Sequence, residues 1–210
     1  MIPGPKFIYQ CPHCDNLFSR GSLMSGNTSG MRSYSDGKRV APMLPQFPSL
    51  TICSKCRVKF WIRDAQKIGE YIWGEEIPWQ WAGAEEATFL TIYEYSEAIE
   101  QQVAQNEIDE RYIRIRIWRG FNDRVRAGQS LFTSDTDNIL WTDNIEKLLE
   151  MLDPSIDDQR IIMAELYRNL GHFDRCLELL DDIDAPELSR LKEAFKKECE
   201  KKNQAVFELN

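Results

Sequence analysis

Two Cys-x-x-Cys pairs stand in similar surroundings within the first 60 residues: Phe7-Ile8-Tyr9-Gln10-Cys11-Pro12-His13-Cys14-Asp15-Asn16-Leu17-Phe18 and Leu50-Thr51-Ile52-Cys53-Ser54-Lys55-Cys56-Arg57-Val58-Lys59-Phe60. In each stretch a short strand-favouring run leads into the pair, and an aromatic residue follows four residues after the second cysteine. This repetition predicts two facing tight turns whose backbone N–H groups point at the thiolates. The strand that leaves each turn would then lay its aromatic ring over a shared metal.

Four thiols are the soft ligands that a tetrahedral Zn²⁺ prefers, so we expect one structural zinc ion with this ligand set: Cys11, Cys14, Cys53 and Cys56. The 38 residues from 15 to 52 separate the pairs, which exceeds the roughly 15 to 20 of compact zinc sites. Buried free thiols and a redox dithiol are the alternatives. His13 lies between the first two ligands, where it could hydrogen-bond a thiolate or replace a cysteine.

The composition is that of a soluble chain with room for one good core or two small ones. It has 210 residues, 42% of them hydrophobic, and no apolar run approaches the roughly 18 residues of a membrane span. Residues 1–6 open no apolar segment of a signal peptide. We therefore expect a cytoplasmic protein without membrane contact and without structural disulfides.

Charge is distributed unevenly along the sequence. Residues 1–63 hold nine basic and two acidic side chains, a net +7, and the remainder holds 17 basic and 32 acidic, a net −15. A basic N-terminal module could contact the phosphates of a nucleic acid. The simpler interpretation, which we favour, is that the charges serve docking between modules or solubility, because no basic run interleaved with aromatic residues is present.

Helical periodicity begins after a Trp-rich stretch. Apolar residues recur at steps of three and four from Ala84, which predicts a helix of about 20 residues, followed by others from about Asp109 to Ala127 and Asn138 to Leu152. Between the cysteine pairs, Asp36-Gly37 indicates a hairpin. The expected fold is α+β: a small β-rich, zinc-ribbon-like module at 1–63, a Trp-rich linker at 64–83 and an all-α module at 84–210.

The second predicted helix carries the densest basic run of the acidic part. One interpretation is an anion-binding face, and the other is neutralisation by acids on the same and neighbouring helices. The basic residues are Arg111, Arg114, Arg116, Arg119, Arg124 and Arg126.

Residues 160–186 resemble one tetratricopeptide repeat, a helix-turn-helix unit of about 34 residues. The residues that match the repeat pattern are Ala164, Tyr167, Gly171, Phe173, Leu180 and Ile183, with Cys176 in place of a small Ala and Arg160 where Trp is frequent. The resemblance implies a helical hairpin that binds a protein or peptide. In overall arrangement the chain is similar to uncharacterised bacterial proteins that pair a four-cysteine zinc ribbon with tetratricopeptide-like helices.

Catalysis finds little support in the sequence. A four-cysteine site has no open coordination position, the chain has only two histidines, and no small-molecule substrate is evident. We expect a non-enzymatic adaptor or scaffold with a structural zinc site and a protein or peptide partner. The alternatives are a nucleic-acid-associated protein that uses the basic N-terminal module, and a redox sensor in which thiol oxidation releases zinc.

Overall fold

A computed structural model describes residues 1–209 as a mixed α+β protein, with a β-rich first part followed by six helices. The chain divides into two compact units. Unit 1 comprises residues 1–31 and 40–103, and unit 2 comprises residues 32–39 and 104–209. None of the helices found in residues 1–209 combines the length and the apolar character needed to cross a membrane.

Unit 1 is built from short strands and one short helix, α1 (Ile92–Glu100). The strands are β1 (Ile2–Pro3), β2 (Lys6–Gln10), β3 (Leu17–Arg20), β4 (Leu23–Ser25), β7 (Leu50–Ile52), β8 (Lys59–Trp61), β9 (Gln66–Tyr71) and β10 (Glu85–Glu86). Four of them form a sheet in the order β10-β3-β2-β9, and the pairs β1-β4 and β7-β8 form two-stranded sheets. Each Cys-x-x-Cys pair therefore lies in the turn of an antiparallel hairpin, β2-β3 or β7-β8.

Helix α1 is shorter than its periodicity predicts. The sequence predicts a helix of about 20 residues from Ala84, but Glu85 and Glu86 instead pair in parallel with β3. The helix begins after Thr91, whose side chain accepts a hydrogen bond from the Glu94 backbone while the Glu94 carboxylate accepts one from the Thr91 backbone. This capping box sets the start of the helix, because it satisfies two N–H groups that otherwise lack partners.

Unit 2 contains five helices and three short strands. The helices are α2 (Glu107–Arg126), α3 (Asp135–Glu150), α4 (Asp157–Asn169), α5 (Phe173–Asp181) and α6 (Ser189–Glu200). The strands β5 (Arg32–Tyr34), β6 (Arg39–Val40) and β11 (Glu208–Leu209) form a sheet in the order β11-β5-β6. The predicted helices near 109–127 and 138–152 are confirmed within a few residues as α2 and α3. The Asp36-Gly37 hairpin is also confirmed, with Gly37 at a φ of 71° that favours glycine.

A buried ion pair on α4 organises unit 2. The side chains of Glu165 and Arg168 are both fully buried, with Arg168 Nε 2.7 Å from Glu165 Oε2. Ser35 donates to Glu165 at 2.7 Å, and Arg168 donates to the carbonyl of Ala205 at 2.9 Å. The pair therefore joins α4 to the β5-β6 hairpin and to the C-terminal segment, and it satisfies polar groups that burial would otherwise penalise.

The division into units differs from the predicted boundaries. Residues 64–83, predicted as a linker, contribute β9 to the main sheet of unit 1, and residues 84–103 also belong to that unit. Residues 32–39, predicted within the zinc-ribbon-like module, belong to unit 2. The reason is long-range strand pairing, because β9 pairs with β2 and β11 pairs with β5. Local periodicity predicts the conformation of a segment but not its distant pairing partner.

Replacing Glu165 with Ala should lower the free energy of unfolding of unit 2 by about 3–5 kcal/mol, because the Arg168 guanidinium is left buried without its counter-ion. Urea unfolding followed by the helical circular dichroism signal measures this. The matched control is Glu178→Ala, which removes an exposed partner of Arg175 and should change stability by less than about 0.5 kcal/mol. Equal stability of the two variants would contradict the organising role of the pair.

Candidate metal centre

The two Cys-x-x-Cys turns have the same hydrogen-bond pattern. In the first, the N–H of Cys11 donates to Asn16 O at 2.9 Å and the N–H of Asp15 donates to Cys11 O at 3.0 Å. In the second, Cys53 donates to Val58 O at 2.9 Å and Arg57 donates to Cys53 O at 3.0 Å. The spacing of donor and acceptor is identical, so the repetition seen in the sequence is a repetition of backbone structure.

Each turn also places one residue in the left-handed region. Asp15 has a φ of 57° and Arg57 a φ of 60°, and each directly follows the second cysteine of its pair. This conformation costs a non-glycine residue roughly 1–2 kcal/mol, and Asp tolerates it better than most residues. The turn needs it because the backbone must reverse around the sulfur atoms before the outgoing strand begins.

The two turns bring the four predicted thiols together. All four sulfur atoms lie within 4.8 Å of one another. Cys11 Sγ is 3.8 Å from Cys56 Sγ, and Cys14 Sγ is 3.7 Å from Cys53 Sγ. With Zn–S bonds of about 2.3 Å, sulfurs at the corners of a tetrahedron lie about 3.8 Å apart. The donor set of this thiol cluster (Cys11, Cys14, Cys53 and Cys56) therefore fits a four-coordinate metal ion.

Apolar side chains shield the thiol cluster on the side of the outgoing strands. Phe18 and Phe60 are both buried and pack edge to face, with ring centroids 5.3 Å apart. Tyr9 stacks on Phe18 at 5.4 Å, and Ile62 is buried in the same group. The two aromatics predicted to cover the metal thus form the core beside Cys11 and Cys53, which the structure also buries.

The thiols respond to their surroundings in different ways. Burial raises the pKa of the Cys11 thiol to about 12. Burial acts in the same direction on Cys53, but hydrogen bonds from the backbone N–H groups of Cys56 and Lys55 hold the pKa of its thiol at about 7. The Cys56 N–H lies 3.5 Å from Cys53 Sγ. Four thiolates this close together would repel one another, so all four thiols ionise only when a positive charge balances them. A divalent cation would supply that charge and displace the remaining protons.

Helix α1 and the segment before it support the second hairpin. Lys59 is almost fully buried and donates to Glu97 at 2.7 Å, and the Trp61 indole N–H donates to Val103 O at 2.9 Å. Thr51 donates to the carbonyl of Thr88 at 3.0 Å. Residues 85–103 therefore hold β7 and β8 in place, although the sequence predicts them as part of another module.

His13 is not a member of the thiol cluster. It is exposed, and its ring lies 6.5 Å from that of Phe60 in a tilted arrangement. The alternative in which it replaces a cysteine as ligand is not supported.

Four of the α2 arginines, Arg114, Arg119, Arg124 and Arg126, meet carboxylates or carbonyls of their own unit, and Arg116 donates to the Tyr112 hydroxyl. Arg126 forms ion pairs with buried Asp36 and with Asp123, and Arg119 donates to the Asp36 carbonyl at 3.0 Å. Arg114 pairs with Glu110 at 2.7 Å, as its spacing predicts. The sequence indicates neutralising acids but does not identify the partner of Arg126. That partner is Asp36, which lies in a hairpin distant in sequence from α2.

The predicted charge asymmetry does not describe the structural units. Unit 1 contains seven basic and ten acidic side chains, a net −3, and unit 2 contains 19 and 24, a net −5. Three of the basic residues counted in the N-terminal module belong to unit 2, and residues 64–103 add nine acids to unit 1. Four thiolates on a divalent cation would lower the charge of unit 1 by a further 2.

Sequence reasoning missed one pair of thiols. Cys176 and Cys199 lie 3.7 Å apart in the interior of unit 2, although 22 residues separate them in the sequence. The repeat pattern predicts that Cys176 packs in the interior, whereas Cys199 is expected only as a spare thiol on the last helix. The sequence does not predict their contact, because that contact depends on how α5 and α6 pack.

Replacing Asp15 with Val should weaken metal binding about tenfold, because a β-branched residue at positive φ adds roughly 1–2 kcal/mol of strain to the bound turn. Asp15→Gly is the matched control and should bind at least as tightly as the wild type. Competition with a chromophoric chelator measures both affinities. Equal affinities of the Val and Gly variants would show that the turn conformation does not limit binding.

Comparison with protein-family models gives no match, and neither the curated proteins nor the solved structures that were compared contain a match to this chain.

Proposed function

We propose that this chain is a non-enzymatic adaptor protein in which a structural zinc ion stabilises unit 1. The observation that supports zinc most directly is the thiol cluster itself, in which the four sulfurs converge within 4.8 Å from two equivalent turns. A tetrathiolate site of tetrahedral size suits Zn²⁺ or iron. We favour zinc because it needs no redox partner and because closed four-cysteine sites are its usual structural form.

The complete set of four cysteine ligands also favours a structural role. Four protein ligands leave no coordination position for water or substrate. Both histidines are exposed, and neither joins the thiol cluster. The metal would instead supplement the small core of unit 1, whose strands are two to six residues long and bury little apolar surface by themselves.

Partner binding is supported by an exposed apolar loop in unit 1. This loop, which we call the Trp loop (residues 72–79), exposes Trp73 by 70% and Trp79 by 87%, together with Ile72 and Ile77. Tryptophans of this exposure are costly in water and are common at the centres of protein interfaces. By contrast, Trp81 packs onto Gly69, where a Cβ atom would lie only 2.3 Å from the indole. Trp81, two residues after Trp79, thus packs the C-terminal end of the Trp loop onto β9.

The charge of the Trp loop favours one kind of partner. Glu75 and Glu76 are both exposed between the two tryptophans, and Glu70 on the preceding strand is also exposed. We therefore propose a protein segment in which apolar side chains alternate with Lys or Arg. The net negative charge of unit 1 disfavours a nucleic acid as partner of this unit.

The helices α4 and α5 are the tetratricopeptide-like part of the proposed adaptor. They pack against each other with Ala164, Cys176 and Leu180 buried. Gly171 turns the chain between them at a φ of 84°. These positions agree with the repeat pattern, and a hairpin of this kind would offer a second surface for a peptide.

Purified protein should contain about one zinc ion per chain, and Cys53→Ser should lose it together with the unit 1 fold, since the ligand set is then incomplete. Elemental analysis by mass spectrometry identifies and counts the metal, and circular dichroism reports the fold. Cys199→Ser, outside the cluster, is the control and should retain the zinc. Iron in place of zinc would overturn the metal assignment, and metal-free protein with an intact fold would overturn the structural role.

Replacing both Trp73 and Trp79 with Ala should weaken partner binding at least about tenfold, because each interface tryptophan typically contributes about 2 kcal/mol. Affinity capture of the tagged full chain from its native cell extract, quantified by mass spectrometry, compares the variant with the wild type. Ile139→Ala removes an apolar residue of unit 2 that is as exposed as Trp73, and this variant should bind the partner normally. A partner captured equally by all three proteins would exclude the Trp loop, and the absence of a reproducible partner would contradict the adaptor function.

A further inference from the structure

Two cysteines outside the thiol cluster face each other between packed helices. Cys176 on α5 and Cys199 on α6 place their sulfur atoms 3.7 Å apart. Both residues are buried, with Cys176 fully inaccessible and Cys199 exposed by 5%. A disulfide has its sulfurs about 2.05 Å apart, so the two thiols need to approach by less than about 2 Å. That approach requires rotation of the two side chains about χ1.

Only one of the two thiols can be reached from solvent. Cys199 lines an open cleft of about 670 Å³ between the α4-α5 turn and the end of α6. Two basic side chains, Arg175 and Lys202, also line the cleft, together with three acidic ones, Asp174, Glu178 and Glu200. It is wide enough for a small thiol compound, whereas Cys176 does not line it.

The accessible thiol is also the one that ionises more readily. When Cys199 is ionised, the Cys176 thiol donates a hydrogen bond to its sulfur, which lowers the pKa of Cys199, and nearby Arg168 acts in the same direction. The same hydrogen bond, together with burial, raises the pKa of Cys176. Since the thiolate is the nucleophile in disulfide exchange, reaction begins at Cys199.

We propose that Cys199 and Cys176 form a dithiol modification site that a small-molecule disulfide of the glutathione type oxidises to an intramolecular disulfide. In the first step the Cys199 thiolate attacks one sulfur of the small disulfide, which releases one thiolate and leaves a mixed disulfide on Cys199. In the second step Cys176 gives up its proton and attacks the Cys199 sulfur, which releases the second small thiol. The small disulfide is reduced to two thiols, and the two cysteines are oxidised to one bond that joins α5 to α6.

The test uses the full chain as purified, without a chelator, and oxidised glutathione as the probe. Peptide mapping by mass spectrometry without reductant locates each modification. The wild type should form a cross-link between the peptides of Cys176 and Cys199, with the loss of two hydrogen atoms. Cys176→Ala, which introduces the small residue usual in the repeat, should instead gain one glutathionyl group on Cys199. In Cys199→Ser, Cys176 should stay unmodified.

Two results would overturn the proposal. One is the absence of the cross-link in folded wild-type protein, with Cys199 also unmodified in Cys176→Ala. The other is modification of Cys176 in Cys199→Ser while circular dichroism shows an intact fold, since the order of attack would then be wrong. If Cys176→Ala fails to fold, Cys176→Ser provides the same mixed-disulfide readout. Zinc content, measured in the same samples, distinguishes this reaction from oxidation of the thiol cluster.

Discussion

The convergence of four thiols is the constraint on which unit 1 depends. A single group of buried side chains around Cys11 and Cys53 links the β2-β3 and β7-β8 hairpins, and each hairpin by itself is too small to be stable in water. A metal ion bound by both turns would join hairpins that are far apart in sequence. The cost of left-handed residues at Asp15 and Arg57 is then tolerated because those turns aim the sulfurs at one point.

The long separation between the cysteine pairs is explained by the fold of the residues between them. Residues 15–52 need not fold as one compact insertion, because eight of them, residues 32–39, belong to unit 2. There Asp36 accepts hydrogen bonds from Asn122 at 3.1 Å and pairs with Arg126, and Ser35 reaches Glu165. Part of the connection between the two cysteine turns is thus a structural element of unit 2, whereas the sequence spacing alone predicts a loop.

Local chemistry made part of this structure predictable. The turns around the cysteine pairs, the ring positions of Phe18 and Phe60 and the extent of α2 all follow from residues close to one another in sequence. The parts that could not be predicted depend on distant partners. Strand β9 forms because β2 offers it an open edge, and the helix predicted from Ala84 is shortened because residues 85 and 86 pair with β3. Arg119 and Arg126 have the periodicity of an exposed basic face, yet they stabilise a hairpin more than 80 residues away.

The six cysteines form two different arrangements, a cluster of four and a separate pair, and each arrangement favours a different reaction of the thiols. The residues of the thiol cluster meet from two turns with sulfur separations near those of a tetrahedron, so a metal can balance their charge. Cys176 and Cys199 meet as a pair only, and within residues 1–209 no third cysteine, histidine or carboxylate completes a second cluster of metal ligands around them. Two adjacent sulfurs without a metal can instead be oxidised to a bond with each other. Their difference in access decides the order in which that bond would form.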